Sequence, residues 1–175
     1  MSRDAADGII RKLADGYEVV FVRRLARPID KVWAALTVPE RIADWLGVAT
    51  PERGGVLSVG AQFELCFPQN GYRTMCEVVA MDAPQLFAWT WGLPEGPARL
   101  EDAVRFELAP DGDGCVLTLT NGGLARQDLE SVAAGWHTHL EGLEGAADGV
   151  RSPWSPAREK PHLDRYAATL EGLRE

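Results

Sequence analysis

A chain of 175 residues is long enough for one domain with its own core, and 46% hydrophobic against 25% charged residues is a globular balance. Its net charge of −8 would repel phosphates, so nucleic acid is not an expected partner, and no run approaches the roughly 18 consecutive apolar residues of a membrane span. The N-terminal residues include acids where a signal peptide needs a basic segment, so we expect a soluble, cytoplasmic protein.

The first predicted elements are a strand and two short helices. Gly16 to Leu25 is rich in β-branched and aromatic residues, which predicts a strand, and residues 1–15 are expected to be an N-terminal extension. After Pro28, apolar residues recur at helical spacing, which predicts an amphipathic helix. Thr37 to Glu40 has the form of a capping box, so a second short helix is expected to begin there.

Beyond Gly54, glycines and prolines separate runs with the length and alternation of antiparallel strands. Such runs cover residues 62–67, 73–82, 86–91 and 102–108, and a further one ends at residue 121. Each has one apolar face, and on the second run the alternation places Glu77 on the same face as Met75 and Met81. With the first strand, these runs predict a sheet of about six strands.

A long helix and a tail follow the last strand. From about Asp128 to Asp148, apolar residues recur at helical spacing and form one continuous stripe. A sheet with one apolar face needs a cover, so we expect it to curl around this helix. The proline-containing segment 152–156 cannot continue a helix, and residues 150–175 are therefore predicted to be a C-terminal tail with a short helix.

The order of these elements resembles the START-like, or SRPBCC, helix-grip superfamily. Several motifs resemble those of the family of homologues of the activator of the heat-shock-protein-90 ATPase, namely residues 27–37, Pro39-Glu40, Trp45-Leu46, Trp89-Thr90-Trp91 and Gly135-Trp136. The resemblance covers residues 16–149 and implies a single α+β domain with a cavity between a curved antiparallel sheet and the long helix. It specifies the fold more than the function, because proteins of this kind range from chaperone-binding domains to lipid carriers and cyclases.

The inward positions of the predicted sheet and helix are bulky and aromatic, a composition typical of an apolar ligand pocket and equally of a filled core. The leading hypothesis is that a small apolar or aromatic molecule binds between the sheet and the long helix. The candidate ligand-binding residues are Phe63, Met75, Glu77, Trp89, Trp91, Phe106, Trp136, His139 and Leu140.

Glu77 and His139 stand out because their periodicity places them among apolar neighbours. A buried Glu77 would suit a general base or a ligand anchor, whereas local twist or an arginine partner would make it an ordinary surface residue. His139 borders the apolar stripe beside glycines, which either leave room for a ligand or allow close packing. His137 is expected to point elsewhere, and His162 lies in the tail.

Motifs of metal, nucleotide and hydrolase chemistry are missing, as is any cluster of histidine and carboxylate at metal-ligand spacing, so neither a cofactor nor a metal is expected. Two alternatives to ligand binding stay open. One is a cyclase- or hydrolase-type enzyme that uses Glu77 or His139 in the cavity, and the other is a protein-interaction domain like the chaperone activators. The apolar residues of the tail are expected either to close the pocket or to join a homodimer.

Overall fold

The computed structural model describes residues 7–173, which form one antiparallel sheet and five α-helices. The strands are β1 (Ile9–Leu13), β2 (Gly16–Leu25), β3 (Val48–Pro51), β4 (Gln62–Phe67), β5 (Tyr72–Asp82), β6 (Leu86–Trp89), β7 (Val104–Asp111) and β8 (Gly114–Leu124). The helices are α1 (Ile29–Thr37), α2 (Pro39–Ile42), α3 (Leu129–Leu140), α4 (Leu143–Ala147) and α5 (Pro156–Glu171). None of the helices in this part of the chain has the length and apolar character needed to cross a membrane.

The eight strands lie in the order β1-β2-β8-β7-β6-β5-β4-β3, and the curved sheet does not close. This is the expected α+β helix-grip architecture, with two strands more than the predicted six. The additional strands are β1 and β3, which have five and four residues and form the two edges of the sheet. Runs this short do not show a sustained alternation, so the pattern of the sequence did not reveal them.

The inward faces of the strands were assigned correctly for β4 and β7. Phe63, Leu65 and Phe67 of β4 are buried, as are the alternate residues Val104, Phe106 and Leu108 of β7. Helices α1 and α2 cover the middle of this apolar face. The Trp45 side chain, just after α2, is buried and donates a hydrogen bond from Nε1 to the Ala35 carbonyl at 2.9 Å.

The predicted capping box before α2 is wrong. The Thr37 hydroxyl donates to the Trp33 carbonyl at 2.8 Å, and the cap position is Val38, whose side chain makes no capping hydrogen bond. Thr37 is the last residue of α1, where a hydroxyl can bond back to the carbonyl four residues earlier. Helix α2 starts instead with Pro39, whose missing N–H needs no partner in the first turn.

The face assigned to Met75 and Glu77 is also wrong. On β5 the buried residues are Cys76, which is paired with Phe63 of β4, and Val78. The register of β5 shifts between Val78 and Ala80, and beyond that point Met81 packs against the core. This irregularity changes which alternate residues face inward, so counting back by twos from Met81 places Met75 and Glu77 on the wrong side.

The long helix predicted over residues 128–148 is divided into α3 and α4, which are separated by Glu141 and Gly142. Gly142 has no space for a side chain, because a Cβ there would lie 2.8 Å from Ser152 Cβ. The predicted short C-terminal helix is the 16-residue α5, which starts after Ser155 and packs along α3. The buried Tyr166 hydroxyl of α5 accepts a hydrogen bond from the Gly8 N–H at 2.7 Å.

Candidate ligand-binding site

A pocket of about 470 Å³ lies between α3, the start of α5 and the ends of several strands. Phe67 ends β4, Tyr72 begins β5, and Trp91 comes two residues after β6, so three neighbouring strands deliver aromatic side chains to one end of the sheet. Six rings line the pocket in all: Phe67, Tyr72, Trp91, Trp136, His139 and Trp154.

The indole of Trp91 is the centre of the aromatic wall. Its ring stacks on Phe67 with centroids 5.9 Å apart and on Tyr72 at 6.3 Å, and it meets Trp136 edge-on at 6.1 Å. Trp91 Nε1 also donates a hydrogen bond to the Tyr72 hydroxyl at 3.1 Å. Trp91 is 41% exposed and Tyr72 is 46% exposed, so these rings present apolar faces to solvent at the mouth.

Trp136, on α3, is held by a buried amide. Its Nε1 donates to Asn121 Oδ1 at 2.9 Å, and Asn121 in turn donates from Nδ2 to the Gly122 carbonyl at 3.1 Å. Both side chains are buried, so breaking this bond would leave an unpaired polar atom and cost stability. The bond therefore fixes the orientation of the indole that forms the floor of the pocket.

His139 lies one helical turn beyond Trp136, between Trp136 and Phe67, with ring centroids 6.2 and 5.7 Å away. Its Nδ1 is 3.2 Å from the Trp45 carbonyl oxygen, which can only accept, so Nδ1 carries the proton. Burial lowers the pKa of His139 to about 4. At neutral pH the ring is therefore uncharged, and its Nε2 is a hydrogen-bond acceptor.

Glu159, in the first turns of α5, supplies a half-buried carboxylate to the pocket. Burial raises its pKa, and a hydrogen bond from the Trp154 side chain acts in the opposite direction. Its Oε1 lies 3.5 Å from the position that a Cβ would occupy at Gly135 of α3. The glycine thus leaves the space into which this carboxylate extends.

The predicted site residues fall into three groups. Trp91, Trp136 and His139 line the pocket. Beneath it, a void of only about 10 Å³ remains among the packed side chains, with room for about one water molecule at most. The predicted residues that are buried in the core rather than in the pocket lining are Phe63, Trp89, Phe106 and Leu140.

Met75 and Glu77 form the third group, because they lie on the outer face of the sheet. The Glu77 carboxylate accepts a hydrogen bond from Gln62 Nε2 at 3.3 Å on the neighbouring strand. The interpretation of Glu77 as a buried base in the cavity is therefore wrong, and the solvent-facing alternative describes its position.

Sequence reasoning missed Asn121, Tyr72 and Glu159. Tyr72 and Asn121 belong to strands, but their place at the end of the sheet depends on register, which alternation alone does not give. Glu159 became part of the site because α5 folds back along α3. The only signal for this was the apolar character of the tail residues, which had suggested that the tail either closes the pocket or joins a homodimer.

A second polar cluster, which was not anticipated, joins α3 to α5. His137 is buried but does not line the pocket, in keeping with the expectation that it points elsewhere, and its ring stacks on His162 with centroids 3.9 Å apart. His137 Nδ1 is 2.8 Å from the Tyr166 hydroxyl, and His162 Nε2 is 2.5 Å from Glu141 Oε1. The pKa of His137 is lowered to about 4, mainly by burial and in part by the neighbouring His162.

The ligand atoms of His137, Glu141 and His162 lie within 4.8 Å of one another, which is close enough to test as a metal site. The two imidazole planes, however, are inclined by only 17°. Nitrogen lone pairs lie in the ring plane, so two stacked rings cannot direct them at one ion unless a ring rotates. The arrangement is that of a hydrogen-bonded packing contact between α3 and α5.

Comparison with known proteins gives a consistent picture of the fold. The family model described as Activator of Hsp90 ATPase homolog 1-like protein matches residues 26–148. The comparison with curated proteins finds no match.

Three solved structures illustrate the similarity. MLL2253 from Mesorhizobium loti is 30% identical, with 75% of this chain and 96% of that chain covered and a TM-score of 0.63. BPP1335 from Bordetella parapertussis is 26% identical over 95% and 94% of the two chains, with a TM-score of 0.67. CalU16 from Micromonospora echinospora is 22% identical over 93% and 96%, with a TM-score of 0.68, and so supports the fold alone.

Proposed function

The chain belongs to the family of Activator of Hsp90 ATPase homolog 1-like proteins, and we propose that it binds a small apolar or aromatic molecule in the pocket between the sheet, α3 and α5. Proteins of this family and fold commonly bind hydrophobic ligands. The observation that carries the proposal is the ring-lined pocket of about 470 Å³. This volume is in the range of small-molecule sites, which are mostly apolar with a few polar groups that orient the ligand.

The polar groups of the pocket are suited to orientation. Nε2 of the neutral His139 is an acceptor, and the Asn121 amide holds the indole of Trp136 in place. A ligand that stacks on Trp91 and donates one hydrogen bond to His139 would use both features. Each face of such a ring would replace water on an apolar surface, which is the main favourable contribution to binding.

Binding is better supported than catalysis. Glu77, one of the two residues considered as an acid–base group, faces away from the pocket. The other, His139, has a pKa lowered to about 4, which makes it a weak base near neutral pH. These properties favour a ligand-holding role for the pocket over the cyclase- or hydrolase-type alternative.

Native mass spectrometry of the purified protein, compared with the denatured sample, tests the proposal first. A mass retained only in the folded state would supply the ligand class, and the same spectrum reports whether the expected homodimer forms. Binding of that ligand, or of the apolar probe 1-naphthol, is then measured by calorimetry for wild type, Trp91→Leu and Trp33→Leu.

The two variants are matched because each replaces a tryptophan with leucine, and they differ in whether that tryptophan lines the pocket. Trp33 lies on α1 and borders a separate groove, outside the pocket lining. We expect Trp91→Leu to weaken binding about tenfold, in line with the loss of an aromatic stacking partner, and Trp33→Leu to leave it unchanged. Equal effects of both variants, or a complete absence of binding across a panel of apolar probes, would contradict the proposal.

A further inference from the structure

The charged side chains that line the pocket are all negative. Its lining includes three carboxylates, those of Asp102, Asp128 and Glu159, and none of the lining residues is a lysine or arginine. Asp102 is partly balanced from outside the pocket by Arg99, whose Nε is 3.6 Å from its carboxylate. The remaining negative charge would repel an anionic ligand such as a carboxylate or a phosphate ester.

Of these three carboxylates, Glu159 is the one that a positively charged ligand would stabilise most. It is half-buried, and burial raises its pKa because the charged form is poorly solvated there. The adjacent cationic residues of α5 are engaged elsewhere, Arg158 with Glu141 at 3.4 Å and Lys160 with Asp164 at 2.9 Å. Among residues 7–173, no lysine or arginine forms an ion pair with Glu159. Two neighbours act in the opposite direction to burial and lower its pKa, the Trp154 side chain and the His162 ring.

Like the carboxylates, the aromatic wall favours a positively charged ligand. The faces of Trp and Tyr rings attract cations when the charge lies within about 6 Å of the ring centre. Trp91, Tyr72 and Trp136 line the same pocket as Glu159, and the first two are partly open to solvent. A positively charged group that enters the pocket would therefore meet both a carboxylate and π-electron density.

We propose that the pocket selects aromatic ligands that carry a protonated amine, with Glu159 as the counter-ion and Trp91 as the stacking surface. This inference rests on the proposed ligand-binding function and specifies the chemical class of the ligand. The apolar part of the molecule lies against the rings, and its ammonium group donates to the Glu159 carboxylate beside Gly135. Neutral aromatic molecules bind more weakly, and aromatic acids bind weakest.

The test uses three probes with one ring system and different charges: 1-naphthylmethylamine, 1-naphthalenemethanol and 1-naphthoate. Their dissociation constants for the full chain are measured by calorimetry at pH 7.5 and low salt. We expect the amine to bind about tenfold more tightly than the alcohol, as is typical of a charge-assisted hydrogen bond with a partly buried partner. The naphthoate is expected to bind more weakly than the alcohol.

Two charge-matched variants separate a local contact from the general field of an acidic protein. Glu159→Gln removes the carboxylate in the pocket, whereas Glu130→Gln removes an exposed carboxylate on α3 that does not line it. The preference for the amine over the alcohol should fall to about twofold or less in Glu159→Gln and persist in Glu130→Gln.

The possible outcomes distinguish this inference from the function on which it rests. If the three probes bind wild type equally, the charge selection is overturned while ligand binding stands. If Glu159→Gln keeps the preference, the assignment of Glu159 as the counter-ion is overturned. If the preference falls equally in both variants, it reflects net charge and Glu159 is not the counter-ion. If no probe binds at all, the proposed function and this inference both fail.

Discussion

Aromatic side chains form a filled core at the centre of the sheet but line an open pocket at its end. At the centre, Trp45 packs edge-on against Phe106 with centroids 6.1 Å apart, and the remaining void is about 10 Å³. At the end, Trp91 and Trp136 meet at 6.1 Å beside a pocket of about 470 Å³. The residue types are the same, so composition does not decide which region binds a ligand.

The difference between the two regions lies in what covers the sheet. Over the centre, Leu36 of α1 and Ile42 of α2 fill the space against the strands, together with the Trp45 indole. Over the end, the cover consists of the half-buried side chains of Trp154, just before α5, and Glu159 in α5, and Gly135 of α3 contributes no side chain. The centre is filled because large apolar side chains of α1 and α2 pack against the strands, whereas at the end the polar Glu159 and the small Gly135 leave space.

The largest expected loss of stability is for a substitution in the filled core. Phe63→Ala removes a ring that is 1% exposed and contacts Trp89 edge-on at 5.7 Å. The free energy of unfolding, measured by urea denaturation, should fall by about 3 to 5 kcal/mol because the tightly packed core cannot close the cavity. Trp91→Leu, at the open end, should cost far less. Similar losses for the two variants would mean that the pocket is as tightly packed as the centre.

The second largest expected effect is a loss of stability at acid pH, caused by the two buried histidines of α3. Burial lowers the pKa of His137 and of His139 from 6.5 to about 4, so between these values the unfolded chain binds more protons than the folded one. The free energy of unfolding is therefore constant above pH 6.5 for these groups and falls as the pH drops from 6.5 toward 4. The loss should be on the order of 3 kcal/mol for each histidine.

A variant of His139 isolates the contribution of the pocket to this acid sensitivity. His139→Asn retains an N–H that can donate to the Trp45 carbonyl but does not titrate. Urea denaturation at pH 7 and pH 4.5 should show a smaller difference for His139→Asn than for wild type. An unchanged difference would place the acid-sensitive groups outside the pocket.

The order of the elements could be predicted from the sequence because the signal for each was local. The alternation in β4 and β7 and the helical spacing in α1 each span enough residues to establish one period. The failures occurred where tertiary structure interrupts a period. The register shift in β5 reversed the face of Glu77, and Gly142 divided the helix that the apolar stripe had predicted to be continuous.

The candidate site was harder to predict because its parts come from distant segments. Trp91, Trp136 and His139 could be identified as apolar-face residues, but nothing local separates them from Trp89 and Phe106, which are in the filled core. The distinction depends on the position of α5, which is determined by contacts such as the stacking of His137 on His162.

The third expected effect concerns the contacts that hold α5 against α3. Tyr166→Phe removes the hydroxyl that accepts from the Gly8 N–H and bonds to His137 Nδ1. Leaving these buried groups unpaired should lower the free energy of unfolding by about 1 to 2 kcal/mol, measured by urea denaturation. The exposed Tyr72→Phe, which loses only its bond with Trp91, should change it by less than about 0.5 kcal/mol. Equal changes would show that the Tyr166 hydroxyl does not help to anchor α5.

The smallest expected effect is that of Gly135→Ala, which should raise stability but weaken ligand binding. Gly135→Ala adds a methyl group within α3 at an ordinary contact distance, 3.5 Å from Glu159 Oε1, so the helix should become more stable by about 0.5 to 1 kcal/mol. The same methyl group occupies part of the pocket and should weaken ligand binding a few-fold. Gly142→Ala is the contrasting variant, because its Cβ would lie 2.8 Å from Ser152 Cβ and should destabilise the protein. If Gly135→Ala instead lowers stability and leaves binding unchanged, then Gly135 serves the packing of α5 on α3, and the space beside it is not used by a ligand.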